Sequence, residues 1–321
     1  MTDADELPVW PGEPESLVVA VDTGDRIHYL DWAGRDAGQG DGPMPPLLLL
    51  HGLAQTGWSW TPVARRLRSV TRVLAMDLRG HGLSDSPRTG YDLSSLAFDA
   101  LTVLVANGYG TDVSGAPAVV AGHGLGALVA ATMARLQPES VCGLALVDAG
   151  WEDIGEATGQ TPAEFERSLG DPPEVLRSMD AFLADRRDFD PHSWDADQER
   201  AARTTVDEKY AGHVAPVARD HVIRGAVEAM FDYQPRPALA DLDMPLLVAV
   251  AEPAAPDDEQ ARERELALRE MLARRAAAGL PQAVVVRFPG AGHSLMRYRP
   301  RDLAAGLRDL LVDSAAGYHR S

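Results

Sequence analysis

The residues best placed to do chemistry lie in the stretch VVAGHGLGALVA, residues 119–130. An apolar run that passes through glycines into a second apolar run is typical of a strand, a sharp turn and a helix. Enzymes with the motif G-x-S-x-G hold their serine nucleophile on such a turn. The serine position is Gly124 here, so no covalent intermediate can form on its side chain. The stretch therefore predicts the strand, turn and helix that normally position a nucleophile, with a glycine at the nucleophile position.

Composition excludes several other kinds of chemistry. The chain has 321 residues and a formal net charge of −18, so we expect it to bind neither nucleic acid nor an anionic membrane. The single cysteine excludes an internal disulfide and a multi-cysteine metal site, and no metal is expected. The glycines around Gly124 lack the G-x-G-x-x-G order of a dinucleotide loop, so no cofactor is expected either.

The elements that must position this turn alternate along the chain. Apolar runs bounded by turn residues predict eight strands, at residues 16–21, 26–32, 45–52, 71–77, 116–122, 143–149, 245–251 and 283–288. Amphipathic patterns predict helices at residues 57–68, 94–107, 125–136, 257–278 and 301–312. An opening hairpin followed by strand–helix alternation predicts an α/β fold, with a mostly parallel sheet and helices on both faces.

The same patterns predict the domain organisation. Residues 1–15 are acidic and proline-rich and are expected to be flexible, whereas residues 16–150 and 241–321 form the core. Residues 151–240 show helical patterns and no convincing strand, which predicts a helical lid inserted after the sixth strand. Neither a secretion signal nor an apolar run of spanning length is evident, so the protein is expected to be cytoplasmic.

These elements, together with three further motifs, resemble the α/β-hydrolase fold family in its lid-bearing branch. LLLLHGLAQTGWSW (47–60) is similar to the HG loop after the third strand, and AMDLRGHGLSD (75–85) to the D-x-R-G-x-G-x-S loop after the fourth. FPGAGHSLM (288–296) is similar to the segment that carries the catalytic histidine. The resemblance covers roughly residues 16–315 and implies an α/β-hydrolase fold with an eight-stranded sheet.

The resemblance also implies roles for particular residues. His293 matches the catalytic base, and the backbone N–H groups of Leu53 and Leu125 match the two donors of the oxyanion hole. Gly124 occupies the nucleophile position of the turn, called the elbow. Nearby hydroxyls lie in other loops and are not expected to project from the elbow; they belong to Ser59, Ser84 and Ser294.

The sequence allows several candidates for the carboxylate that would orient His293. The usual position, a few residues beyond the seventh strand, holds Ala254 in place of an aspartate. Asp148 ends the sixth strand, where the haloalkane dehalogenase branch of the family carries its acid. Further alternatives are Glu252, Asp257 or Asp258, or no partner at all.

Loop and pocket residues complete the prediction. Asp77 and Arg79 are expected to hold their loop through an ion pair, and His81 is expected to be structural. An apolar small molecule is the expected ligand of a pocket walled by aromatic residues. The residues predicted to contact the substrate are Gly52, His123, Trp58, Trp151, Trp194 and Tyr210, although any of these aromatic residues can instead pack the lid on the core.

Three functional hypotheses follow. The first is non-covalent general-base catalysis by His293 on a small, largely apolar carbonyl or ester-like molecule, through elimination, cyclisation, C–C cleavage or direct attack by water. Glycine supports this hypothesis because it leaves space beneath the oxyanion hole for a water or substrate atom. The second is a catalytically silent relative that binds a ligand or partner protein. The third is an esterase or lactonase with a displaced nucleophile. The oligomeric state is not predicted.

Overall fold

All eight predicted strands form, together with a short additional pair. The computed structural model describes residues 12–32, 44–110, 115–169, 178–210, 212–254 and 258–318, so most of the predicted flexible segment 1–15 lies outside it. The strands are β1 (Glu15–Ala20), β2 (Arg26–Trp32), β3 (Leu47–Leu50), β4 (Val73–Met76), β5 (Ala118–His123), β6 (Val141–Val147), β7 (Val206–Tyr210), β8 (His213–Pro216), β9 (Leu246–Glu252) and β10 (Val284–Pro289).

Helices fill the connections, and the five predicted ones are present. The helices are α1 (Thr61–Leu67), α2 (Leu93–Ala106), α3 (Leu125–Leu136), α4 (Ile154–Thr158), α5 (Pro162–Ser168), α6 (Met179–Phe189), α7 (Ala196–Arg203), α8 (Asp220–Asp232), α9 (Pro235–Leu239), α10 (Asp258–Ala277), α11 (Leu295–Tyr298) and α12 (Pro300–Tyr318). None of them, within the described ranges, is both long and apolar enough to cross a bilayer.

The main sheet has the order β1-β2-β4-β3-β5-β6-β9-β10. The pairs β1–β2 and β2–β4 are antiparallel, and all the other neighbours are parallel. Parallel strands end at the same edge of a sheet, so the loops after β3, β5, β6 and β10 meet there. The predicted α/β architecture is confirmed, and it brings together motifs that are far apart in sequence.

Strand β3 shows why the central runs are continuously apolar. Its four leucines are fully buried. Leu48 and Leu50 pack in the core against α2 and α3, whereas Leu47 and Leu49 pack in the core against α1 and α12. Side chains alternate between the two faces of a strand, so a sheet covered on both faces needs apolar residues at every position. This burial holds the HG loop, which follows β3 directly.

The segment between β6 and β9 differs from the prediction in one respect. Besides helices α4–α9, it contains an antiparallel hairpin of β7 and β8, where no strand was expected. The hairpin is anchored by Val206 and Val214, which pack against Phe182 and Leu183 of α6. Charged residues between these two anchors hide the alternation of a strand in the sequence. The inserted segment, residues 151–240, is therefore mixed rather than purely helical.

The loop after β4 is held as expected, but by different partners. The carboxylate of Asp77 accepts hydrogen bonds from the backbone N–H groups of Gly57 and Leu83, at 2.7 and 2.9 Å. Arg79 forms a buried ion pair with Asp99 at 2.7 Å. The predicted ion pair between Asp77 and Arg79 is wrong, because each side chain turns to a different neighbouring segment.

Candidate active site

The backbone of the elbow has a positive φ. Gly124 joins β5 to α3 with φ 53° and ψ −123°, a conformation that glycine adopts without the usual penalty. A Cβ on Gly122 would strike the carbonyl of Gly126, and a Cβ on Gly126 would strike the carbonyl of Leu50. These two flanking glycines are required by the close approach of α3 to the sheet.

Space at Gly124 itself is not filled by protein. Within 4 Å, and apart from its two chain neighbours, a Cβ at this position would meet only His293 Nε2, at 3.4 Å, and Gly52 Cα, at 3.5 Å, among the described residues. No serine hydroxyl of the described residues lies within 4 Å of this position. Ser84 donates to the carbonyl of Asp77 at 2.6 Å, and Ser294 accepts a hydrogen bond from the Gln55 amide at 3.3 Å. The elbow is open at the point where a nucleophile would stand.

The structure identifies Asp148 as the carboxylate partner of His293. Its Oδ2 lies 2.6 Å from His293 Nδ1. Asp148 is buried and adopts φ 54°, a strained value for a non-glycine residue, directly after β6. Its other oxygen accepts the backbone N–H of Ala251 at 2.9 Å. Glu252, a rejected alternative, instead pairs with Arg287 at 3.1 Å.

The remaining alternatives for the acid, Asp257 and the side chain of Asp258, lie outside the described residues. His293 itself stands at the mouth of the site, with 57% of its side chain exposed. Its Nδ1 is engaged by Asp148, so its Nε2 is the nitrogen that faces the elbow. Imidazole and carboxylate thus stand as in a serine hydrolase, while the hydroxyl is absent.

Arg264 of α10 is a member of this cluster that the sequence did not reveal. Its Nη2 donates to Asp148 Oδ1 and to the Asp148 carbonyl, both at 2.9 Å, and its Nε donates to Glu152 at 2.9 Å. Burial raises the pKa of Asp148, but the hydrogen bond from His293 and the charge of Arg264 outweigh burial and hold this pKa below its ordinary value. Asp148 is consequently ionised at neutral pH.

Replacing Arg264 with methionine should lower the free energy of unfolding by about 3 kcal/mol, because Asp148 and Glu152 would remain buried without their cation. The matched control is Arg269→Met on the same helix, where the arginine is 72% exposed and pairs with Glu265. The control should cost at most about 0.5 kcal/mol. Urea unfolding at pH 7 measures both values. Equal losses in the two variants would contradict a supporting role for Arg264.

His123 and Gly52 pack against each other next to the elbow, and neither is among the residues that line the cavity described below. His123 is buried, its Nε2 donates to the His293 carbonyl at 3.0 Å, and the two rings lie 4.3 Å apart. A Cβ on Gly52 would meet His123 Nδ1 at 2.7 Å, so this glycine makes room for the ring. Their observed contacts support the loop that carries His293.

The residues predicted to supply the oxyanion donors belong to segments next to the elbow, because Leu125 follows Gly124 directly and Leu53 follows Gly52, whose Cα would lie 3.5 Å from a Cβ at Gly124. Leu125 is the first residue of α3, where backbone N–H groups have no acceptor within the helix. Leu53 belongs to the HG loop, whose shape is held by two buried histidines. His51 accepts the N–H of Leu78 on Nε2 at 2.9 Å, and His81 accepts the N–H of Ala54 on Nε2 at 3.1 Å. His81 is thus structural, as the sequence predicted.

These histidines should make the protein acid-sensitive. Burial lowers the pKa of His51 to about 3 and also lowers the pKa of His81 and His123. Below about pH 6.5 the unfolded chain binds protons that the folded chain does not, so stability is lost as the pH falls. Three such groups give a slope of up to about 4 kcal/mol per pH unit between pH 6 and 5.

Urea midpoints measured at pH 7.5, 6.0 and 5.0 test this expectation. The exposed His192 provides the control, because His192→Ala should leave the slope unchanged. A stability that stays level down to pH 5 would show that these histidines are protonated in the folded protein.

A cavity of about 1010 Å³ lies between the HG loop, the residues after His293 and the inserted segment. Trp194, which was predicted to contact the substrate, is among the residues that line it. Trp58 instead packs under Arg200, 4.8 Å from the ring centre, and Trp151 is buried with its Nε1 donating to the Arg264 carbonyl at 3.2 Å. The side chain of Tyr210 lies outside the described residues.

The cavity lining is more polar than the aromatic residues suggested. Twelve of its twenty-five lining residues are polar or charged, among them Arg297, which sequence reasoning missed. Arg297 lies four positions after His293, and this spacing was the only signal that could have pointed to it. The described residues contain no group of three or more histidine, cysteine, aspartate and glutamate side chains arranged to hold a metal ion.

Comparisons with known proteins agree with this architecture. The model of the "Alpha/beta hydrolase family" matches residues 47–306. Human epoxide hydrolase 4 is 30% identical over 196 residues, which span 58% of this chain and 51% of that protein. The 2-(acetamidomethylene)succinate hydrolase of Mesorhizobium japonicum is 26% identical over 265 residues, which span 82% of this chain and 85% of that protein.

A solved structure resembles the chain over almost its whole length. The crystal structure of E-2-(acetamidomethylene)succinate hydrolase superposes with a TM-score of 0.73 at 22% identity, covering 93% of this chain and 99% of that one. At this level of identity the similarity establishes the fold alone. The activity depends on the residues of the site, because one fold can carry many activities.

Proposed function

Because the chain belongs to the alpha/beta hydrolase family, we propose that it acts on small carbonyl or ester-like molecules by non-covalent general-base catalysis. In this proposal His293 accepts a proton from a water molecule or from the substrate. The N–H groups of Leu53 and Leu125 hold the negative charge that develops on the carbonyl oxygen. Asp148 orients the imidazole and balances its charge when it is protonated.

The observation that carries the proposal is that Gly124 presents no side chain beside His293 Nε2. A Cβ at Gly124 would lie 3.4 Å from His293 Nε2, and apart from the two chain neighbours its only other neighbour within 4 Å among the described residues would be Gly52 Cα. A water molecule or a substrate atom at that position lies within reach of the base. Direct attack by water is favoured over the other three reaction types because the relatives named above are hydrolases.

The inserted segment, residues 151–240, serves as a lid in this proposal. Several contacts join it to the core beside the cavity, and two of them involve the HG loop and α1. Thr204 hydrogen-bonds Thr56 of the HG loop at 2.8 Å, and Asp197 forms an ion pair with Arg65 of α1 at 2.6 Å. Residues 16–150 and 241–321 form the core that carries the site. Closure of such a segment excludes bulk water and strengthens the electrostatic interactions of the oxyanion donors.

A substrate panel combined with a serine-directed inhibitor tests the mechanism. Purified protein is incubated with esters, lactones, amides, epoxides and β-diketones, and the products are measured by mass spectrometry. We expect turnover of at least one class that survives a fluorophosphonate but disappears in His293→Ala. Activity that the fluorophosphonate abolishes would contradict the proposal and support an esterase with a displaced nucleophile.

Ligand binding without catalysis is the second candidate, and the glycine at the elbow is the observation that favours it. A protein that only binds its ligand needs neither a nucleophile nor a strained non-glycine residue at position 124. The same panel separates the two functions. Binding of a panel compound without any product, in both the wild-type and the His293→Ala protein, would support ligand binding without catalysis.

A further inference from the structure

The charge of the cavity is opposite in sign to that of the whole protein. The chain carries a formal net charge of −18. Two carboxylate residues line the cavity, Glu166 and Asp220, against four arginines, which are Arg167, Arg186, Arg224 and Arg297. The formal charges of these six residues add up to +2. A positive cavity in so acidic a protein favours an anionic ligand.

Among these arginines, Arg297 is held in place by neutral groups. Its Nε donates to the hydroxyl of Ser193 at 2.6 Å, and its Nη2 donates to the carbonyl of Asp190 at 3.1 Å. The Asp190 carboxylate instead accepts hydrogen bonds from Ser193 and from the N–H of His192. Within the described part of the chain, Arg297 forms no ion pair with a carboxylate. The Asp190 carboxylate interacts electrostatically with Arg297 at longer range, without an ion-pair contact.

Arg297 lies close to His293 in the chain, and its cavity is lined by neighbours of the proposed reaction centre, although Gly124, Leu125 and His293 are not among the lining residues. Arg297 lies in α11, which begins two residues after His293, and it shares the cavity wall with Ser294 and Leu53. A ligand held by Arg297 in this cavity would therefore lie beside Leu53, one of the two predicted oxyanion donors, and beside Ser294, which follows His293 directly.

We propose that the substrate carries a carboxylate in addition to its reacting carbonyl group, and that Arg297 binds this carboxylate. This inference rests on the proposed function, because it assigns a substrate class to the same site. A guanidinium presents its N–H groups as a planar fork that matches a carboxylate. Two of the five N–H groups are used by Ser193 and Asp190, and the Nη1 end remains for the ligand.

Matched probes test the inference without knowledge of the natural substrate. The probes are 4-oxopentanoate, its neutral amide 4-oxopentanamide, and inorganic phosphate, with affinities measured by calorimetry at pH 7.5. We expect the acid to bind about 10- to 100-fold more tightly than the amide, as is typical for a hydrogen-bonded charge. Arg297→Met should abolish this preference, whereas the control Arg308→Met, on α12 and paired with Asp309, should keep it.

Two further arms keep the result interpretable. Arg297→Lys keeps the positive charge but removes the planar set of guanidinium N–H groups, so the affinity ratio of acid to amide should fall at least about threefold. This variant tests the inference if Arg297→Met fails to fold. An unchanged preference in Arg297→Lys, or equal affinity for acid and amide in the wild type, would overturn the inference. Phosphate that binds as tightly as the acid would overturn the assignment to a carboxylate and indicate a general oxyanion site.

The inference and the proposed function fail separately. Binding does not require the base, so the acid should keep its preference in His293→Ala. If His293→Ala abolishes turnover while acid and amide bind equally, the proposed carboxylate-bearing substrate is wrong and general-base catalysis by His293 is supported. If the acid is preferred and no substrate is turned over, the binding site stands and the mechanism is wrong.

Discussion

Fluorophosphonate labelling should rise from none in the wild-type protein to nearly one label per chain in Gly124→Ser. The new Cβ would lie 3.4 Å from His293 Nε2, so a serine Oγ comes within hydrogen-bond reach of the imidazole. His293 already has its carboxylate partner, Asp148, at 2.6 Å. Nucleophile, base and oxyanion donors would then converge, and weak hydrolysis of p-nitrophenyl acetate should accompany the labelling.

The matched controls separate chemistry from folding. Gly124→Ala imposes the same strain of φ 53° without a hydroxyl, so it should lose about 1–3 kcal/mol of stability, as should Gly124→Ser, and stay unlabelled. Adding His293→Ala to Gly124→Ser should slow labelling by about 10²–10⁴-fold. Wild-type protein that is labelled near His293 would show that another nucleophile serves the site. Unchanged melting temperatures in both single variants would show that residue 124 is not a strained elbow.

Turnover of a substrate found in the panel should fall by about 10²–10⁴-fold in His293→Ala, because general-base catalysis contributes that much. Asp148→Asn should lower turnover less if the carboxylate only orients the ring. Steady-state kinetics on folded variants measure both effects, and the effect should appear in kcat. The control is His192→Ala, since His192 is exposed and far from the elbow in the chain.

Unchanged turnover in His293→Ala would refute general-base catalysis by this residue. A fall in turnover that is equal in His293→Ala and His192→Ala would point to a general loss of stability. The carboxylate variant adds a separate test, because Asp148 also accepts the N–H of Ala251 and the guanidinium of Arg264. Its stability must therefore be measured beside its kinetics.

The sequence by itself determined the fold and the outline of the site. Continuous apolar runs such as the four leucines of β3 are buried on both faces, and this leaves few alternatives to a covered parallel sheet. Glycines in GHGLG mark a tight turn because no side chain fits between α3 and the sheet at Gly122 and Gly126. Gly124 and His293 were identified in the same way, since local motifs carry their own geometry.

Only the tertiary structure decided which distant groups meet. Asp148 is one of several acids near strand ends, and its pairing with His293 depends on loops 145 residues apart. Arg264 lies on a charged helix with no motif, and only its packing against Trp151 and Asp148 shows its place. Arg297 likewise gains its role from Ser193, 104 residues away. Charged side chains have no periodic signature, so their partners are set by the packing of whole elements.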